Sequence, residues 1–191
     1  IKIISGGEVH NIHVNEWGFA KNPKTILCLH GFTQCSLDFS VLASFFSKSY
    51  RVICPDFVGR GKSSWLENKF LYQLPFYIQD ILFLVAELNL KDVRIIGTSL
   101  GGLLGILLAS NPDKYVRVLS SFDMSEKILT KRDPEILKAL VLNDVGPVVN
   151  FGDLIKLNED INISSNTYPS IEDAEKKIRF AMEASLGQHS Y

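Results

Sequence analysis

Apolar positions along this chain fall into two periods. Short, nearly continuous apolar runs at Thr25–Leu29, 50–54 and 93–96 read as strands buried on both faces, the pattern of parallel sheets. Between and after them, apolar residues recur at helical spacing. Residues 39–46 form one such stretch. Tyr77, Ile78, Ile81, Leu82, Val85 and Leu88 form a second, with Pro75 in its first turn, where a missing N–H costs nothing. Leu100–Ser110 is a third. Ahead of these, residues 1–4 and 10–17 are extended in pattern and are joined through Gly6-Gly7, which predicts a hairpin of two strands. Strands alternating with helices are βαβ units, so the fold class is α/β with a mostly parallel sheet flanked by helices. Sites in such sheets lie at the carboxyl ends of the strands.

The second half is organised differently. Residues 119–136 are polar and charged, and they separate the apolar residues 115–118 from the next predicted strand at 140–143. A helix-to-strand link ordinarily takes about 2–6 residues, so 119–136 reads as a surface insertion, in which Asp133-Pro134 could cap a short helix. From Val148 to the end the pattern is helical and amphipathic. Ser170-Ile171-Glu172-Asp173 fits a capping box, and Ile171, Ala174, Ile178 and Met182 share one face. These patterns divide the chain into an α/β core, 1–147, and a helical segment, 148–191.

Composition narrows the function classes. The 191 residues suffice for one domain, with 46% hydrophobic and 21% charged residues. A formal net charge of −1 supplies no electrostatic pull toward nucleic acid or an anionic membrane, and neither is expected as a partner. No apolar run approaches the length of a membrane span. Three cysteines without CxxC spacing give neither a disulfide framework nor a zinc site; Cys28 and Cys54 lie in strand-like runs and read as buried apolar groups, which fits a reducing cytoplasm. The chain opens at Ile1 rather than Met, so an address could lie outside it. No metal or cofactor is implied.

Candidate chemistry follows the strands. Gly97-Thr98-Ser99-Leu100-Gly101 is G-x-S-x-G, set after a predicted strand and before a predicted helix. That context suits a nucleophile elbow, a turn so tight that the neighbours of the serine must be glycine. The Leu100 amide, at a helix N-terminus, could donate to an oxyanion. His30-Gly31-Phe32 follows the first buried strand, where the Phe32 amide could be a second donor, His30 could hold the loop through its side chain, and Gly31 lets the backbone approach a substrate. Residues 56–63, DFVGRGKS, read as a glycine-rich turn braced by Asp56; the glycine spacing before Lys62 excludes a P-loop.

HGF, DFVGRGKS and GTSLGG, in this order, resemble the α/β-hydrolase fold superfamily. Residues 140–147, LVLNDVGP, are similar to the strand after the nucleophile helix in a bacterial esterase branch, where a helical lid follows; the lid would be 148–191. The resemblance implies Ser99 as nucleophile, the Phe32 and Leu100 amides as oxyanion hole, and His30, Gly31, Gly97 and Gly101 in support. It implies an acid and a histidine base as well. Asp144, directly after the strand ending at Asn143, is the acid or merely a cap of the turn into Val145-Gly146-Pro147. The chain has four histidines: His10, His13, His30 and His189. The first three precede Ser99, and His189 has no strand before it. The family's base follows a final strand, so the expectation is that the last strands, with the base, are not in the chain. The implied reaction is hydrolysis of a small carboxylic ester or thioester through an acyl-enzyme. Alternatives are hydrolysis of a carbon–carbon bond beside a ketone on the same scaffold, or a remnant that keeps the pocket without catalysis. Trp65 and Phe57 could line the entrance or be plain packing.

Overall fold

The computed structural model describes residues 1–5, 7–110, 136–146, 169–173 and 175–176. The chain divides into two compact units, Ile1–Pro147 and Val148–Tyr191. In the first unit the strands are β1 (Lys2–Ser5), β2 (Glu8–Asn11), β3 (Val14–Trp17), β4 (Thr25–Leu29), β5 (Arg51–Pro55), β6 (Val93–Thr98) and β7 (Leu137–Asn143). The α-helices are α1 (Ser40–Phe46), α2 (Leu74–Glu87) and α3 (Leu100–Ser110). In the second unit, residues 171–173 and 175–176 are helical. There the Ser170 Oγ accepts from the Asp173 N–H at 3.1 Å and donates to its carboxylate at 3.0 Å. The rest of the segment expected to be a lid, and residues 119–135 of the expected insertion, lie outside the described residues.

Five strands form the main sheet in the order β3-β5-β4-β6-β7. β4, β5, β6 and β7 run parallel, and β3 runs antiparallel to β5 at one edge. Side chains alternate through this sheet. Leu27, Leu29, Ile53 and Ile95 join a core with Tyr77, Ile78 and Ile81 of α2 and Leu104 of α3. Ile26, Cys28, Val52 and Cys54 face the other way, onto Phe39 and onto Ala43 of α1. Every residue of β4 is buried, as its unbroken apolar run requires of a strand covered on both faces. Pro75 sits in the first turn of α2.

Two predicted elements differ. β1 and β2 do form an antiparallel hairpin, with Ile3 opposite His10, but its second arm stops at Asn11 and β3 belongs to the main sheet. The Ile12 N–H still bonds the Ile1 carbonyl at 2.8 Å. The His13 N–H then donates to Ser63 Oγ at 2.9 Å, and its carbonyl accepts from the Asp56 N–H at 2.9 Å. Those distant partners carry the chain onto β5, and a two-residue period cannot announce a change of partner. The strand predicted at 140–143 begins at Leu137, and Ile136 already accepts from the Val93 N–H at 2.8 Å. The strand therefore starts directly after the predicted insertion, three residues earlier than expected. A register shift opposite Val93–Arg94 absorbs the irregularity.

Candidate active site

β6 and α3 meet at Ser99, whose φ of +47° lies in the left-handed region. A non-glycine residue there costs about 1–2 kcal/mol and is held by its surroundings. The Ser99 N–H donates to the Asn143 carbonyl at 2.9 Å, and its carbonyl accepts from the Leu103 N–H at 3.0 Å, so the turn is tied to β7 and to α3. The glycines around it are sterically required. A Cβ on Gly97 would lie 2.5 Å from the Gly101 carbonyl oxygen, and one on Gly101 would lie 2.0 Å from that of Leu29. Helix α3 thus crosses β4 at backbone contact, which brings the Leu100 amide beside the loop that leaves β4.

That loop is built around His30, which is wholly buried. Its Nε2 accepts from the Phe57 N–H at 3.0 Å, and its Nδ1 lies 2.7 Å from the Gly31 carbonyl. The first contact needs a bare Nε2, so the ring is neutral with its proton on Nδ1, donating to Gly31. Burial is the largest influence on this ring and holds its pKa below the ordinary 6.5, although the Gly31 contact and Asp56 pull it upward. The Gly31 N–H donates to Gln34 Oε1 at 2.8 Å, and the Gln34 N–H returns to the Gly31 carbonyl at 3.2 Å. Among the described residues the Phe32 N–H has no acceptor.

After β5, Asp56 closes the third loop. Its carboxylate accepts from the Ser36 N–H at 2.7 Å and the Lys62 N–H at 2.9 Å. Burial alone would raise its pKa; the bonds from Lys62 and Ser36 outweigh that and leave it below the ordinary carboxylate value. Gly61 turns tightly over this carboxylate at φ +52°. The bracing expected of Asp56 is therefore its geometry here.

An open, mostly apolar pocket of about 450 Å³ is lined by Phe32, Leu100, Tyr72, Leu74, Pro75 and Tyr77 among others. Neither residue expected at an entrance lines it. Phe57 is buried, packed 4.3 Å from the His30 ring and 5.5 Å from the Tyr77 ring, while Trp65 is exposed. Phe57 falls directly after Asp56, where the His30 bond pulls its backbone into the core. Tyr77 reads in the sequence only as an apolar position of the helix, and Tyr72 carries no motif that points to the site.

Asp144 follows the register pair Thr98 and Asn143, as Ser99 does, so the two residues leave adjacent parallel strands at the same level. Asp144 is exposed and also left-handed, at φ +56°. The histidines are placed elsewhere. His10 Nε2 lies 3.1 Å from Asp80 Oδ1, which also accepts from Ser5 Oγ at 2.9 Å, and all three residues are buried. The arrangement joins the β1–β2 hairpin to α2. Burial opposes charging of His10, but the Asp80 bond and charge together raise its pKa above 6.5. His13 Nε2 is buried without a partner among the described residues, and His189 lies outside them. Among the described residues, no group of three or more His, Cys, Asp or Glu could hold a metal, and no helix is long and apolar enough to cross a membrane.

Known proteins are similar to this chain in sequence and fold. Residues 24–156 match the family described as alpha/beta hydrolase fold. A 3-hydroxybutyrate-oligomer hydrolase of Cupriavidus necator is 41% identical over 128 residues, covering 67% of this chain and 44% of that protein. A serine hydrolase-like protein of Danio rerio is 35% identical over 104 residues, 54% of this chain and 32% of that protein. The chain thus spans less than half the length of these two relatives. Among solved structures, a Rickettsia typhi protein assigned as a hydrolase superposes with a TM-score of 0.73 at 30% identity, covering 95% of this chain and 56% of that one.

Proposed function

Since the chain belongs to the alpha/beta hydrolase fold family, we propose that it is a serine hydrolase that cleaves a small carboxylic ester or thioester through an acyl-enzyme on Ser99. The observation that carries this reading is the left-handed Ser99 at the tip of β6, with the Leu100 amide next to it and the Phe32 loop across α3. Ser99 Oγ adds to the carbonyl carbon and gives its proton to a histidine base. The developing oxyanion is held by the Leu100 and Phe32 amides and by the N-terminal end of α3. Collapse expels the alcohol or thiol, which takes the proton back, and water then releases the acid. His10 and His30, each held by its own buried partners, are not assigned as the base. Asp144, level with Ser99 on the neighbouring strand, is the acid that orients it.

The similarity to the Cupriavidus hydrolase favours an oxygen ester of a short hydroxy acid, such as an oligomer of 3-hydroxybutyrate. A mostly apolar pocket of about 450 Å³, lined in part by Phe32 and Leu100, suits a short acyl chain. Serine at position 99, where a carboxylate would be needed, weighs against halide displacement and epoxide opening.

The protein is treated with a fluorophosphonate probe and digested for mass spectrometry. The expected result is an adduct on Ser99 that disappears in Ser99→Ala, with hydroxybutyrate dimer cleaved faster than the matching thioester. Folded, full-length protein that forms no Ser99 adduct overturns the reading.

A further inference from the structure

In the sequence Arg60 is one residue of a glycine-rich turn. In the structure it reaches across to the oxyanion loop. Its Nε donates to the Phe32 carbonyl at 3.0 Å, and its guanidinium lies 4.4 Å from the centre of the Phe32 ring. One of its terminal nitrogens donates to the Val58 carbonyl at 3.0 Å and to the Tyr77 hydroxyl at 2.8 Å. One side chain thereby joins the loop after β4, the loop after β5, and α2.

We infer that Arg60 is a positioning residue for the Phe32 oxyanion donor, an inference that rests on the Ser99 hydrolase reading. Gly31 and Phe32 share one peptide plane, and its carbonyl oxygen is pinned by His30 Nδ1 and the Gln34 N–H. A trans peptide points its N–H opposite its carbonyl, so the Phe32 N–H is turned away from that cluster. Those bonds hold the plane only at its Gly31 end; the Phe32 Cα at its other end, and with it the tilt of the N–H, stays free unless the next plane is held too. Arg60 Nε holds that next plane through the Phe32 carbonyl, and the stacked guanidinium holds the ring. Both planes flanking the Phe32 Cα are then fixed.

Charge acts in the same direction. The partners of Arg60 are two carbonyls and a phenol, and among the described residues no carboxylate pairs with it. No direct ion pair cancels its positive charge, which acts on the His30 ring against the opposing pull of Asp56 and Asp38. An oxyanion forming at the Phe32 amide would feel that charge. The fork of donors matters as well, because a lysine ammonium cannot hold a carbonyl through one nitrogen while stacking flat on an aromatic ring.

The test compares wild type with Arg60→Met, Arg60→Lys and Tyr77→Phe, the last removing only one partner of the guanidinium. Each is measured for kcat and KM on a p-nitrophenyl butyrate ester, per active site titrated with the fluorophosphonate. Inhibition by an aryl trifluoromethyl ketone, which forms an oxyanion adduct, is compared with that by an unreactive amide of the same shape. Arg60→Met is expected to lower kcat about 10- to 100-fold with KM changed less than about threefold. Trifluoromethyl ketone affinity should fall by the same factor while amide affinity holds. Arg60→Lys should fall between, and Tyr77→Phe should lose about two- to fivefold in kcat. If Arg60→Met does not fold, Tyr77→Phe carries the test through the same readouts. Wild-type kcat and ketone affinity per titrated site in the folded variants overturn the positioning role alone. A wild-type protein with no Ser99 adduct overturns the hydrolase reading and this inference with it.

Discussion

Replacing Gly101 by alanine tests whether backbone contact between α3 and β4 builds the elbow. The added methyl group would sit 2.0 Å from the Leu29 carbonyl oxygen and 2.4 Å from its carbon. Ordinary contact begins near 3.5 Å, so helix and strand must separate by about 1.5 Å at this point. No rotamer change can relieve the clash, because the obstructing atoms are backbone of the central, wholly buried strand. Overpacking typically costs 1–3 kcal/mol, and a backbone obstruction this close belongs above that range, at about 4 kcal/mol. Alanine in place of glycine returns about 1 kcal/mol of helix propensity, leaving a net loss near 3 kcal/mol. The same displacement moves Leu100 away from Phe32, and a shift of about 1 Å between catalytic groups costs roughly 100-fold in rate. Two controls calibrate the measurement. At Gly102 the nearest atom, at 2.3 Å, is a methyl of the Val145 side chain, which can turn aside, so about 1 kcal/mol is expected. At Gly7 the space is open and only the φ of +82° resists a side chain, again about 1 kcal/mol, with no effect on Ser99. Urea unfolding gives the stabilities, and the rate of Ser99 phosphonylation reads the site. If Gly101→Ala matches Gly7→Ala in both, the close-contact argument is wrong.

Other perturbations bear on separate parts of the structure. Asp56→Asn should cost about 2 kcal/mol at neutral pH, the scale of hydrogen bonds to a charged group. Because the folded pKa of Asp56 is lowered, its contribution is present above the unfolded value of 3.8 and is lost as pH falls through the folded value; urea midpoints of wild type and variant should converge in acid. His10 and His30 should give pH slopes of opposite sign. The raised pKa of His10 makes its contribution complete below 6.5 and lost as pH rises through the folded value, whereas the lowered pKa of His30 makes its contribution complete above 6.5 and lost as pH falls. Asp80→Asn should therefore flatten the decline of stability on the alkaline side and leave the acid limb, and an unchanged alkaline side would refute the His10 assignment. Asp144→Gly relieves a left-handed φ and should raise stability by about 1 kcal/mol, while lowering Ser99 reactivity about 1,000-fold if Asp144 is the acid. Undiminished phosphonylation would leave Asp144 a turn residue.

What could be read from the sequence was what is local. Thr25–Leu29 has five buried residues in a row, and a strand covered on both faces is among the few structures that tolerate such a run. Ser99 was legible because an elbow needs its glycines at fixed offsets from the serine, and the offsets survive as a string. His30 and Asp56 are legible by their places in short motifs directly after strands, although each also holds a distant backbone amide, that of Phe57 and of Ser36. The second arm of the hairpin was misread where control passed to distant groups. Residues 10–17 keep an extended pattern, while Ser63 and Asp56 decide that His13 leaves β2 for the main sheet. Arg60 was hidden similarly. Its acceptor on Phe32 lies 28 residues away and its phenol partner 17, and neither distance has a periodic signature.

The strand register explains why such short motifs nonetheless suffice to place a site. Leu29 pairs with Gly97 across β4 and β6, and Thr98 pairs with Asn143 across β6 and β7. His30, Ser99 and Asp144 each follow the last residue of their strands, and Asp56 follows the last residue of β5. Parallel strands that end together turn four positions far apart in the chain into neighbours at one edge of the sheet. Sheet pairing therefore sets the coarse geometry, to within a residue. The finer aim of the Phe32 amide is left to side chains, and there Arg60 acts from the adjoining loop, closing the one rotation that the strands and His30 leave open.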